Sequence, residues 1–219
     1  CWTQRGRTKS RPLHYLCRIT MNTMIHWFEE LLESMGNALV HPFRDNAPPH
    51  IEPIPFSHDP YKKGVLLKEW LEFYDHSLLI LNVKEDGLEE ELLDLLNKKK
   101  IKNYFFLDQA MPSLIKYALL GERKCAIRIS EFESLETVNN FAGKLDWVWM
   151  DCFTKFIITK DMEERLHESN FKICLVSPEL QGRNAEKEIP STLSFLKQNK
   201  IEIDAVCTKK PDLWRELIE

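Results

Sequence analysis

Glycine is scarce in this chain, with seven in 219 residues and none arranged as G-x-G-x-x-G or a Walker-type loop. That scarcity excludes the usual glycine-built nucleotide cradles. C-x-x-C and mixed Cys/His spacings are also missing, so the six cysteines outline no structural zinc site. Four of them, Cys125, Cys152, Cys174 and Cys207, fall in or beside apolar runs, where a reduced thiol packs as a small hydrophobe. A cytoplasmic location is the expectation. No stretch reaches the ~20 apolar residues of a membrane span. The N-terminus lacks the continuous apolar core of a secretory signal. Residues 1–20 hold no acid, only Arg5, Arg7, Lys9, Arg11 and Arg18, which reads as a solvated basic tail over 1–12. The formal charge of −4 asks for neither nucleic acid nor an anionic membrane as partner.

What is present is a regular alternation. Leu66, Leu67, Trp70, Leu71 and Tyr74 make a helical stripe, and Leu78–Lys84 reads as a strand buried on both faces. A helix through Leu88, Leu92, Leu95 and Leu96 ends in Lys98-Lys99-Lys100, charges that suit a helix C-terminus. Strand Tyr104–Asp108 follows. Pro112 opens a helix that Gly121 closes. The series continues with strand Cys125–Ile129, a helix from about Ser134, strand Trp147–Asp151, a helix over Lys160–Glu168 and strand Phe171–Val176. Pro190 is expected to start a helix through Leu193 and Leu196. Strand Ile203–Cys207 and a short helix from Pro211 to Ile218 complete it.

Strands alternating with helices at this interval argue for parallel βαβ units. The expected fold is a TIM-type (β/α)8 barrel, one domain over 1–219. Leu13–Ile19 serves as the first strand, Met24–Met35 as an amphipathic helix, Ala38–Phe43 as the second strand and Asn46–Pro55 as a proline-rich loop. In such barrels chemistry gathers at the carboxyl ends of the strands. Those ends are polar here: Lys84, Asp108, Arg128 with Ser130 and Glu131, Asp151, Ser177 with Glu179, and Thr208 with Lys209.

Three segments carry a resemblance. They are Ser57-His58-Asp59-Pro60, the strand end Asn82-Val83-Lys84, and Ile203-Asp204-Ala205-Val206-Cys207-Thr208-Lys209-Lys210-Pro211-Asp212. Over about residues 54–219 the chain resembles the glycerophosphodiester phosphodiesterase superfamily, which shares its barrel with phosphatidylinositol-specific phospholipases C. The resemblance implies metal-assisted hydrolysis of a small phosphodiester in lipid or glycerophosphodiester metabolism, with Ca²⁺ or Mg²⁺ as cofactor. It implies that His58 protonates the leaving alkoxide, that Asp59 orients it, and that Lys84 steadies phosphate charge. By their places at the strand ends and in the loops that follow, Arg128, Arg183 and Lys209 are the expected phosphate-side cations. Asn82 falls at a metal-ligand position of the family, and Asp108, Glu131, Asp151 and Glu179 are rim carboxylates that could substitute for the other ligands.

The chain departs from the family pattern in residues 13–55 and at position 82. Cys17-Arg18 stands where His-Arg is expected, Leu39–Asp45 holds no Glu-x-Asp, and Asn82 replaces a glutamate. Two further readings therefore stand beside hydrolysis. One is a barrel that binds a phosphorylated sugar or lipid headgroup without cleaving it. The other is a metal-free phospholipase C-like lyase.

Overall fold

The computed structural model describes residues 15–18, 66–74, 77–83 and 85–216. The expected helix Met24–Met35, strand Ala38–Phe43 and loop Asn46–Pro55 lie outside the described residues. In chain order the elements are β1 (Tyr15–Arg18), α1 (Leu67–Trp70), a 3-10 turn (Leu71–Phe73), β2 (Leu79–Asn82), α2 (Glu89–Lys99), β3 (Tyr104–Leu107), α3 (Met111–Leu119) and β4 (Ala126–Ile129). They continue as α4 (Leu135–Asn139), β5 (Trp147–Met150), α5 (Lys160–Glu168), β6 (Lys172–Val176), a second 3-10 turn (Pro178–Gln181), α6 (Ala185–Gln198), β7 (Ala205–Thr208) and α7 (Pro211–Glu216). The chain divides into two compact units, Ile19–Ala126 and Cys1–Arg18 with Ile127–Glu219.

In the first of these, β2 and β3 pair in parallel, with Leu79 opposite Tyr104 and Asn82 opposite Leu107. All four β3 side chains are buried, which is why the segment reads as an unbroken apolar run. The helix α2 begins with Glu89, Glu90 and Glu91 and ends with Lys98 and Lys99, so its charges complement the helix dipole at both ends. After α3, Gly121 adopts a φ of +89°, and its N–H donates to the Ala118 carbonyl at 3.2 Å. A residue with a Cβ adopts that conformation only at a cost, so glycine suits the helix end.

The other unit is a five-stranded sheet in the order β1-β7-β6-β5-β4. The strands β1, β7, β6 and β5 run parallel, with Cys17 opposite Cys207, Cys174 opposite Ala205 and Trp149 opposite Cys174. Every residue of β5 and β7 is buried. Leu145, Ile158, Leu166, Phe171, Ile189 and Trp214 fill the core of this unit. Three of its helices, α4, α5 and α6, open on side-chain caps that satisfy otherwise unpaired N–H groups. Ser134 accepts from Thr137, Thr159 from Met162 and Asn184 from Lys187.

One boundary corrects the sequence reading. Pro190 does not start α6 but lies inside it, because Asn184 caps the helix and Ala185 is its first residue. Proline lacks an N–H, so its place within the helix removes one backbone bond without ending the element. The architecture is α/β, with parallel sheets and alternating strands and helices, compatible with a barrel-like fold. The described residues do not form a closed barrel. Among them no helix is long and apolar enough to cross a membrane.

Candidate functional site

The carboxyl ends of β4, β5, β6 and β7 gather most of the expected site residues in one unit. Arg128, near the end of β4, lies with its Nε 3.6 Å from Asp151 Oδ2 and its Nη1 3.9 Å from Glu133 Oε1. Asp151 follows β5, and its own N–H donates to the Ile129 carbonyl at 2.9 Å, which sets the two strand ends level. Its buried carboxylate also accepts from Trp149 Nε1 at 3.3 Å and from the side-chain amide of Gln181. The arginine thus has a fixed seat, while about a third of its side chain remains exposed.

Glu131 has a different task. Its carboxylate accepts from the backbone N–H of Phe153 (3.1 Å), Thr154 (2.7 Å) and Lys155 (2.9 Å), and from the Thr154 hydroxyl (2.9 Å). Burial alone would raise its pKa. The bonds from Thr154 and Lys155 together with its own backbone N–H outweigh burial and lower it to about 2. The loop after β5 is thereby laced to the loop after β4.

Glu179 does the same between β6 and β7. It accepts from Thr208 Oγ1 at 2.6 Å, from the Lys209 N–H at 2.8 Å and from the Ser177 hydroxyl. Ser177 in turn accepts from Trp214 Nε1 at 2.9 Å, and Ser177, Thr208 and Trp214 are all fully buried. We expect Trp214→Phe to lose the indole donor and part of the packing, at a cost of about 1–2 kcal/mol. A drop of that size in the urea midpoint checks it; an unchanged midpoint would show that the indole N–H is dispensable.

Arg183 sits in the loop after the second 3-10 turn, 17% exposed, with its Nε 3.4 Å from Glu188 Oε2. Lys209, beside the Glu179 clamp, is exposed. Cys152 adjoins these groups, but burial pushes its thiol up to about 11, the charges of Glu131 and Asp151 adding to burial and that of Arg183 opposing it. A thiol raised in this way carries little thiolate character near pH 7.

In the unit Ile19–Ala126, Asn82 is exposed at the end of β2, and Asp108 follows β3 with a φ of +59°. The register of β2 on β3 puts both at the carboxyl edge of that pair. His58, Asp59 and Lys84 lie outside the described residues.

The carboxylates at the ends of the strands from β4 to β7 do not fit a divalent cation. Glu131, Glu179 and Asp151 direct their oxygens at N–H and O–H donors, whereas Ca²⁺ and Mg²⁺ need those same lone pairs. Among the described residues no group of three or more His, Cys, Asp or Glu side chains is arranged to hold a metal. The sequence reading missed Gln181 and Glu133, which hold Asp151 and Arg128 in place. Gln181 lies two residues from Glu179, and nothing in that spacing signals a bond to a residue thirty positions upstream. No known protein family and no curated protein matches this chain.

Proposed function

We propose that the chain is a phosphoric diester hydrolase of the glycerophosphodiester phosphodiesterase type, with its chemistry at the carboxyl ends of the strands of a (β/α)8 barrel. The observation that supports this best is Arg128, fixed by Asp151 and Glu133 with a third of its side chain exposed at that rim. A preorganised guanidinium stabilises charge that develops on phosphoryl oxygens without having to reorganise first. Arg183 and Lys209, on the loops that follow β6 and β7, supply further positive charge. His58 donates a proton to the leaving alkoxide, a task that suits an imidazole titrating near neutrality. Asp59 orients His58, and Lys84 steadies the phosphate.

The test is release of p-nitrophenol from bis(p-nitrophenyl) phosphate, and of alcohol from glycerophosphodiesters, with and without Ca²⁺ or Mg²⁺. Arg128→Lys keeps a charge but loses the planar fork, so kcat/KM should fall about 10–100-fold with the fold intact. His58→Ala should abolish measurable turnover. Undiminished activity in His58→Ala would sink the mechanism.

A second reading is a barrel that binds a phosphorylated headgroup without cleaving it. The bonding of Glu131 and Glu179 to N–H and O–H donors favours it, because these carboxylates are then loop clamps, not chemical groups. Calorimetric binding of a phosphoester without turnover, weakened by Arg128→Lys, would select this reading.

A further inference from the structure

The helix α3 is apolar on two opposite faces. Leu114, Tyr117 and Ala118 are buried in the unit Ile19–Ala126. Around the helix from them, Met111 is 45% exposed, Ile115 43% and Leu119 76%, and Leu120, just past the last turn, is 68% exposed. Met111, Ile115 and Leu119 stand four residues apart, so they line one face of the helix at successive turns. The preceding helix α2 shows the ordinary arrangement. Its exposed residues are Glu90, Asp94, Asn97 and Lys98, a polar face suited to water.

Lys116 is the one charged residue of α3, and it is turned from the stripe. Its ammonium lies 3.8 Å from Glu90 Oε1 and 4.9 Å from the centre of the Tyr117 ring. Tyr117 belongs to the buried face and Glu90 to α2, so both contacts draw the charge away from Ile115 and Leu119. A helix that is apolar all round is one that is covered. What covers this stripe must meet it with apolar side chains.

We propose that the cover is a second copy of the same helix, and that the chain forms a two-fold symmetric dimer through α3. The stripe is evenly spaced about Ile115. Two α3 helices packed antiparallel across an axis at Ile115 set Met111 of each copy against Leu119 of the other, and Ile115 against itself. That self-match is what an isologous interface requires. The size agrees with it. Side chains exposed to this degree present on the order of 400 Å² per copy, as large as the main apolar patch of a typical monomer. With the exposed Pro112 and the Lys116 stem at the rim, the pair buries on the order of 1,000 Å², which suits a weak, reversible dimer. A lipid surface fits less well, because interfacial helices are rich in basic residues and α3 offers a single lysine already paired with Glu90.

The experiment is sedimentation equilibrium of the full chain over roughly 1–200 μM, the range in which a contact of this size associates. The wild type should pass from monomer to dimer with no larger species, because a two-fold contact closes on itself. Ile115→Lys sets two like charges face to face at the axis and should weaken association by about 100-fold or more. Ile115→Glu should do the same, and an equimolar mixture of the two variants should associate more tightly than either alone. Leu119→Glu, at the most exposed position of the stripe, carries the test if the changes at Ile115 do not fold, with far-UV circular dichroism reporting the fold. A wild type that stays monomeric throughout would overturn the proposal and leave the stripe to a different protein. A dimer that survives both Ile115→Lys and Leu119→Glu would place the contact on another face and overturn it equally.

Discussion

Glu131→Ala should cost about 2–3 kcal/mol of stability at pH 7, and the difference from wild type should vanish as the pH falls toward 2. Four donors point at one carboxylate, three of them backbone N–H groups of the loop Phe153–Lys155. Bonds to a charged acceptor are worth more than neutral ones, and a donor stripped of its acceptor is left unsatisfied. The loop is partly exposed, so water recovers part of the loss, and the figure stays well below the sum of four such bonds. The pH dependence follows from the lowered pKa. A carboxyl that titrates near 4.5 when unfolded and about 2 when folded contributes fully above 4.5. That contribution fades as the pH drops through about 2. Urea unfolding of wild type and variant at pH 7, 4 and 2.5 measures it. A gap that stays constant across that range would show that the carboxylate's charge plays no part.

The strand series was legible because most of these strands are buried on both faces. Tyr104–Leu107, Trp147–Met150 and Ala205–Thr208 carry no polar alternation to blur them, and each falls within one residue or so of the expected start or end. Leu13–Ile19 was also readable, and Tyr15–Arg18 pairs in parallel with Ala205–Thr208. Helix starts were legible where a capping side chain stood in the usual place, as at Ser134 and Thr159. They were obscured where two signals competed. Pro190 looks like a helix start, yet Asn184 is the cap, and only the bond from the Lys187 N–H distinguishes them.

The candidate site was legible in position and not in role. Arg128, Glu131, Asp151 and Glu179 all stand at strand ends, as their spacing required. A carboxylate at a strand end looks the same in sequence whether it faces a metal, a substrate or a neighbouring loop. The N–H groups of residues 153–155 and 209 decide the matter for Glu131 and Glu179, and backbone donors leave no trace in side-chain identity. The Arg128–Asp151 pair joins residues from successive strands, a contact that local periodicity does not encode.

The amino ends of the strands hold the largest stability effect expected of a single polar residue. His167, in the last turn of α5, places Nδ1 2.8 Å from Glu163 Oε1 and Nε2 3.1 Å from Asp204 Oδ2. Asp204 also accepts from the Ile173 N–H at 2.8 Å, which ties the approach to β7 to the start of β6. Lys160 pairs with Glu163 on one side and lies 3.7 Å from Glu164 on the other; Glu202 adds a weaker field. Glu163 is 3% exposed and Asp204 12%, so removing one member leaves partly buried charges without their partners. Asp204→Ala should therefore cost about 3 kcal/mol, or roughly 6–12 °C in Tm for a chain of this size. The hydrogen bond and charge of Asp204, opposed by burial and helped by Glu163, raise the His167 pKa above its ordinary 6.5. A raised folded pKa gives a contribution that is complete below 6.5 and is lost as the pH rises through the folded value. Stability should accordingly fall on the alkaline side in wild type more steeply than in His167→Gln, the two curves converging as the imidazolium loses its proton. Urea midpoints from pH 5.5 to 9 read this directly. Parallel curves would mean that His167 carries no charge in the folded protein, and that hydrogen bonding alone holds this corner together.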